Sequence, residues 1–216
     1  MVYDFKRESI NVNETVRIEL LFFDDFEIDG YIAQLSDSER QRVGKFLLPK
    51  RKREFIATRL LKNELFGSDS VIAYRENGAP FLEKGPAISI SHAPNVAGIA
   101  FSEDVPVGFD LEPVREKVHR IKEKFLHRSE YTNFDPTSTA DLIKLWSSKE
   151  ALFKLAGREG VVFAEDLCLV PLSENRLKGN FRVDNQWYTT EIAIFTREDL
   201  IITVNTNDVQ RTKSDF

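Results

Sequence analysis

Thiols are almost absent from the 216-residue chain. Cys168 stands alone inside the apolar run Leu167-Cys168-Leu169-Val170, which excludes an intramolecular disulfide and a thiolate zinc cluster and marks Cys168 as core filler. Long apolar runs are missing too: no stretch approaches the roughly 20 residues that a bilayer span requires. Residues Met1 to Ile10 carry charges throughout, without the apolar stretch of a signal peptide, so a cytoplasmic protein with no membrane partner is expected. Nor is there an excess of basic charge. The net charge of −5 argues against nucleic acid as a partner, because phosphate-backbone binding draws on surplus Lys and Arg. What remains is 42% hydrophobic and 30% charged residues of mixed sign, the profile of a core-driven globular protein of one large or two small domains.

One segment departs from the acidic average. Lys50-Arg51-Lys52-Arg53, followed by Arg59 and Lys62, concentrates positive charge, as a solvated helix start or an anion site would. Ser36 and Glu39 have the spacing of a capping box, and the helix they open should end before Pro49. A second helix is expected from about Lys50 to Phe66, stopped by Gly67 and largely buried through Phe55, Ile56, Leu60, Leu61 and Leu65. Arg59, one turn after Phe55, needs an anionic partner, either a protein carboxylate or a ligand phosphate.

Short strands should follow at 71–74, 87–91, 97–101 and 107–111, pairing antiparallel. The spacing of Val114, Val118, Ile121 and Phe125 predicts one amphipathic helix after Pro113, and a further helix should run from about Ala140 to Ala156, closed by Gly157. Strands at 181–183, 187–195 and 200–204 complete an α+β chain, read as two α+β halves, 1–105 and 106–216, packed tightly together.

Two segments carry chemistry. In Val107-Gly108-Phe109-Asp110-Leu111-Glu112 the strand period of two sends Val107, Phe109 and Leu111 to the core and Asp110 and Glu112 to the other face. Side-by-side carboxylates repel, and an oxygen-rich pair without histidine or thiolate suits Mg²⁺, although an isolated pair of this spacing also occurs as a solvated acidic edge. Gly108 beside them is expected to leave room for a ligand. In Trp146-Ser147-Ser148-Lys149-Glu150-Ala151-Leu152-Phe153-Lys154 a helical wheel puts Lys149 inside an apolar arc and Glu150 with Lys154 along its margin. A snorkelling lysine and an ordinary i,i+4 pair would each explain part of this; together the three groups are better explained by an anionic ligand and a metal. Cations so close should keep Glu150 ionised through the neutral range.

In this order, and preceded by Ile88-Ser89-Ile90-Ser91-His92, these two segments resemble the signature motifs of the 4'-phosphopantetheinyl transferases, (V/I)-G-(V/I)-D-x-(D/E) and (F/W)-(S/C/T)-x-K-E-(A/S)-x-x-K. The resemblance runs from about Ser36 to Leu169 and is greatest to the larger monomeric enzymes of the surfactin-synthetase-activator type. It implies two similar halves in a pseudo-twofold arrangement, with coenzyme A in the cleft between them and Mg²⁺-dependent transfer of phosphopantetheine to a serine of an acyl or peptidyl carrier protein. On that resemblance Asp110, Glu112 and Glu150 would hold the metal. Lys149 and Lys154 would neutralise phosphate, and Glu150 would also take the serine proton. Arg53, Arg59 and His92, with Ser91 close by, would grip the 3'-phosphate, and Gly78 and Pro80 would line the adenine. Glu130 matches a family position without a role assigned here, and Ala79 stands where the family usually has lysine, a contact that Lys84 could replace. A Mg²⁺ nuclease of the Asp…(D/E)-x-K type is disfavoured because no acid after Asp110 has lysine two residues on. A non-catalytic coenzyme A or carrier-binding module is the other alternative, and it would not need three metal carboxylates.

Overall fold

The computed structural model describes residues 5–157 and 160–212; the outermost residues of the two expected halves, 1–4 and 213–216, lie outside these. The chain opens with strands β1 (Lys6–Asn11) and β2 (Arg17–Phe22), then a single helical turn α1 (Asp29–Ile32). Helix α2 (Asp37–Gly44) begins at the expected capping box: the Glu39 carboxylate accepts from the Ser36 N–H at 3.0 Å and the Ser36 hydroxyl from the Glu39 N–H at 3.4 Å. Helix α3 (Pro49–Phe66) takes Pro49 in its first turn, where the missing N–H costs nothing, and ends at Gly67 with φ +85°.

Strands β3 (Ile72–Tyr74), β4 (Pro80–Leu82), β5 (Ala87–Ala93), β6 (Val96–Ser102) and β7 (Phe109–Pro113) follow. Beyond β7 come a 3₁₀ segment (Glu116–Arg120), the turns α4 (Lys122–Phe125) and α5 (Glu130–Asn133), helix α6 (Thr139–Ala156) and the turn α7 (Phe163–Asp166). The chain closes with β8 (Leu167–Ser173), β9 (Arg176–Val183), β10 (Gln186–Arg197), β11 (Leu200–Asn205) and the short β12 (Gln210–Arg211). Among the described residues no helix is long and apolar enough to cross a membrane.

The architecture is α+β, built on one four-stranded sheet in the order β1-β2-β6-β5 and one six-stranded sheet in the order β7-β11-β10-β9-β8, with β12 beside β10. Every pairing is antiparallel, but the four early strands expected from the sequence do not share a sheet. Among the described residues β3 pairs only with β4, and β7 pairs with β11, about ninety residues downstream. The single amphipathic helix expected after Pro113 is broken as well. Ile121, at φ −118° and ψ −1°, separates a 3₁₀ segment from α4, yet Val118 and Phe125 remain buried, so two short turns satisfy the same apolar stripe.

Helix α3 packs on the first sheet and α6 on the second. A middle cluster joins the sheets: Ile18 and Leu20 from β2 meet Phe109 and Leu111 from β7 and Ile202 and Val204 from β11. The core therefore continues across residues 104–107, where the sequence puts the boundary between halves. Cys168 is buried, as core filler should be.

Candidate active site

Strand β7 keeps the expected alternation. Phe109 and Leu111 lie in the core between the sheets, while Asp110 and Glu112 face helix α6. One edge of β7 pairs with β11; on its other edge the N–H groups of Phe109 and Leu111 donate to the hydroxyls of Ser89 (3.1 Å) and Ser91 (3.2 Å) of β5. Two serines spaced by two thus clip the first sheet to the carboxylate strand and satisfy N–H groups that burial would otherwise strand. The room expected beside Gly108 is not there for a ligand. A Cβ at Gly108 would fall 2.2 Å from the Ala151 carbonyl and 2.6 Å from Leu155 Cγ, so the glycine admits helix α6.

Asp110 is buried and hydrogen-bonded through both carboxylate oxygens. Its Oδ1 accepts from Ser91 Oγ and Lys154 Nζ, each at 2.9 Å, and its Oδ2 accepts from Ser147 Oγ at 3.0 Å. Thr203 backs Ser147 at 2.9 Å. Lys154 also donates to the carbonyls of Phe109 (2.6 Å) and Ile90 (3.3 Å), so it bridges both sheets at the carboxylate. Glu112 is half-buried, takes one hydrogen bond at 3.0 Å from Trp146 Nε1, and is pushed above the usual carboxylate range by burial and by Asp110.

Glu150 has no hydrogen bond or ion pair with the described residues. Burial, then the negative charge of Asp110, pushes its carboxyl up to about 7, with Lys154 opposing and Glu112 adding to the shift. Without a metal, one lysine does not offset desolvation and two neighbouring acids, so the expected ionisation of Glu150 through the neutral range would need a bound cation.

Lys149 also lies elsewhere than expected. It points away from this cleft into the core of the later sheet, against Glu130, with its Nζ surrounded by oxygens. The apolar arc of the helical wheel is where it stays.

Two cavities share Gly78, Pro80 and Ile90 as their common wall, and Lys154, the ion-pair partner of Asp110, lines one of them. One, about 300 Å³, is bounded by Asn77, Ala79, Phe153, Lys154 and Gly157. The other, about 280 Å³, is basic, with Arg42, Arg51, Arg59 and His92 around it. A larger cavity of about 430 Å³, between Asn133–Asp135 and Ser173–Glu174, holds none of these groups.

The basic residues divide. Arg59 is buried, with Nε 3.0 Å from Glu39 Oε1, Nη2 2.9 Å from the Tyr74 hydroxyl and its guanidinium over the Phe55 ring, so its anionic partner is a protein carboxylate. Arg53 lines neither cavity: it is tied to the Phe26 carbonyl (3.0 Å) and to Asp25 (3.1 Å). Arg42, stacked over Tyr74 with 3.6 Å from guanidinium carbon to ring centre, and Arg51, paired with Glu54 at 2.8 Å, occupy the place expected of Arg53. Arg51 could have been found: Arg51, Phe55 and Arg59 fall at i, i+4 and i+8 on one helical face. His92 bonds Thr58 at 2.6 Å and is pushed down to about 4 by burial and by Arg51 and Lys154, so it offers a neutral ring. Ser91 is spent on Asp110 and Leu111. Lys84 is exposed and lines neither cavity.

Among the described residues no three His, Cys, Asp or Glu side chains are grouped to hold a metal ion as they stand. The donor chemistry nevertheless fits a hard cation. Three carboxyls lie within reach of one another's charge, and burial, then the charge of Asp110, raises the pKa values of Glu112 and Glu150.

Residues 106–204 match a sequence model described as the 4'-phosphopantetheinyl transferase superfamily. A Synechocystis sp. protein bearing a provisional 4'-phosphopantetheinyl transferase name is 26% identical over 148 residues, covering 61% of this chain and 60% of the relative. The 4'-phosphopantetheinyl transferase gsp of Aneurinibacillus migulanus is 28% identical over 132 residues, covering 58% and 52%. The chain thus spans between half and two thirds of the length of these relatives. The matched segment takes in Asp110, Glu112, Glu150 and Lys154 together, and over it the chain is similar to the 4'-phosphopantetheinyl transferase superfamily.

Proposed function

We propose that the protein transfers the 4'-phosphopantetheine group of coenzyme A to a serine of an acyl or peptidyl carrier protein, releasing adenosine 3',5'-bisphosphate. The observation that carries this reading is the adjacency of two ends of one cleft. Arg42, Arg51 and Arg59 surround one cavity and Lys154, ion-paired to Asp110, lines the next, with Gly78 and Pro80 common to both and the charges of Glu112 and Glu150 close to Asp110. A ligand with a remote phosphate and a central pyrophosphate meets cations at the first end and acids able to share a divalent cation at the second.

In this reading the two sheets with their helices are the two halves, and the nucleotide lies between them. Glu112, Glu150 and the remaining lone pair of Asp110 Oδ2 would hold Mg²⁺, which when bound would neutralise the pyrophosphate. Trp146 and Ser147 orient Glu112 and Asp110. Glu150, which the cation would keep ionised, takes the proton as the serine oxygen bonds to the β-phosphorus and the bond from that phosphorus to the bridging oxygen of the leaving adenosine bisphosphate breaks. Lys154 braces Asp110 while this happens. The monomer and the cytoplasmic setting belong to the same reading.

The 3'-phosphate subsite has its own test. Arg51→Ala, and separately Arg42→Ala, should weaken coenzyme A by about tenfold by calorimetry and leave dephospho-coenzyme A within about twofold, the size expected for one charge-assisted contact. Equal losses for the two ligands would put the 3'-phosphate elsewhere. Arg59→Ala is a poorer probe, because it leaves Glu39 without its closest cation and so disturbs the fold.

A further inference from the structure

The ion pair of Lys149 with Glu130 lies inside the protein, 2.8 Å apart, with both side chains inaccessible to solvent. Neither group is used by the chemistry above. Lys149 Nζ also has the carbonyls of Phe125 (2.5 Å), Leu167 (2.8 Å) and Phe163 (3.2 Å) around it. An ammonium has three protons, and four oxygens already surround this one, so no donor is left for a ligand. Glu130 is equally occupied: Oε2 accepts from the His127 N–H and Oε1 from the Leu169 N–H, both at 2.8 Å.

We infer that Lys149 and Glu130 are a positioning pair, fixing helix α6 against the wall of residues 125–130 and 163–169 so that Trp146 and Glu150 address the cleft, and that Lys149 touches neither coenzyme nor phosphate. Phe125 and Phe163, whose carbonyls Lys149 takes, also set their rings against Trp146, at 5.3 and 5.4 Å between centres. The indole between them donates to Glu112. The pair thus acts on Glu112 through an aromatic stack. On Glu150 it acts through the helix itself: consecutive residues of a helix differ by about 100°, so locking Lys149 into the core sets where Glu150 points. Burial pushes Glu130 up and Lys149 down, and their mutual attraction opposes both, as expected of a pair charged only while it stays together.

The catalytic part of this inference rests on the proposed transfer reaction; the structural part does not. Lys149→Met alone leaves a buried carboxylate unpaired, so the informative variant is Lys149→Met with Glu130→Gln, which removes both charges. It is to be made in a Trp187→Phe background, where Trp146 is the only indole. At a temperature well below its melting point, the double variant should bind coenzyme A within about threefold of its parent, transfer at a rate at least about tenfold lower, and show altered Trp146 emission. An affinity loss of about tenfold or more with an unchanged rate on the saturated complex makes Lys149 a phosphate ligand and overturns the inference. An unchanged rate with unchanged affinity also overturns it, since the pair would then serve stability alone. If the parent transfers nothing, the proposed reaction falls by itself and Trp146 emission decides the remainder: unchanged emission ends the positioning role.

Discussion

Asp110→Asn is expected to lower single-turnover transfer by on the order of 10³-fold or more. Asp110 supplies the charge between Lys154, Ser91 and Ser147, and on the proposed mechanism one lone pair of Oδ2 to the metal as well. Asparagine keeps the shape but removes the charge opposite Lys154, and its amide N–H obliges a neighbouring hydroxyl to turn from donor to acceptor. Asp110→Ala should go further and destabilise the fold by about 3–5 kcal/mol in a urea melt, because Lys154 loses the only carboxylate within ion-pair distance among the described residues. A rate for Asp110→Asn within a fewfold of wild type would remove it from the site.

Glu150→Gln should lose most of the transfer rate, by on the order of 10²–10⁴-fold, while coenzyme A affinity changes by much less. Here the pH dependence separates cause from correlation. The folded-state pKa of Glu150 is raised, to about 7, so the folded protein binds this proton more tightly than the unfolded chain does. Stability from Glu150 is then fully present below the unfolded value and is lost as pH rises through about 7. Metal-free wild type should consequently be less stable than Glu150→Gln at pH 8, by roughly 1–3 kcal/mol, and the gap should close toward pH 5. Mg²⁺ should restore wild type at pH 8 and leave the glutamine variant unmoved. A melting-temperature difference that is constant from pH 5 to 8 would mean that Glu150 titrates as an ordinary surface carboxyl.

Much of this site is local enough to be legible in sequence. The period of two in β7 sorts Phe109 and Leu111 from Asp110 and Glu112, and the wheel of α6 separates buried Lys149 from marginal Glu150 and Lys154. The capping box at Ser36 is equally local, but it hides the second duty of Glu39, which is to receive Arg59 from the next helix. What sequence spacing does not carry is the identity of distant partners. Glu130 finds Lys149 from a turn 19 residues earlier, and Ser89 and Ser91 reach β7 only because two sheets meet there. Glycine at 108 says that something comes close; whether ligand or helix depends on packing that no single strand encodes. The same limit explains Arg53. Motif likeness selects it, while the face shared with Phe55 and Arg59 belongs to Arg51.

Whether the two ends of this cleft belong to one reaction is tested most directly by intact-mass spectrometry of an apo acyl carrier protein and an apo peptidyl carrier protein. Each is incubated with the full-length protein, coenzyme A and Mg²⁺. At least one carrier should gain the mass of a single phosphopantetheine on its serine, with an equal amount of adenosine 3',5'-bisphosphate released and none of either when Mg²⁺ is chelated. Tight binding of coenzyme A with no mass gain on either carrier and no adenosine bisphosphate would contradict a shared reaction and leave a coenzyme-binding protein without transfer.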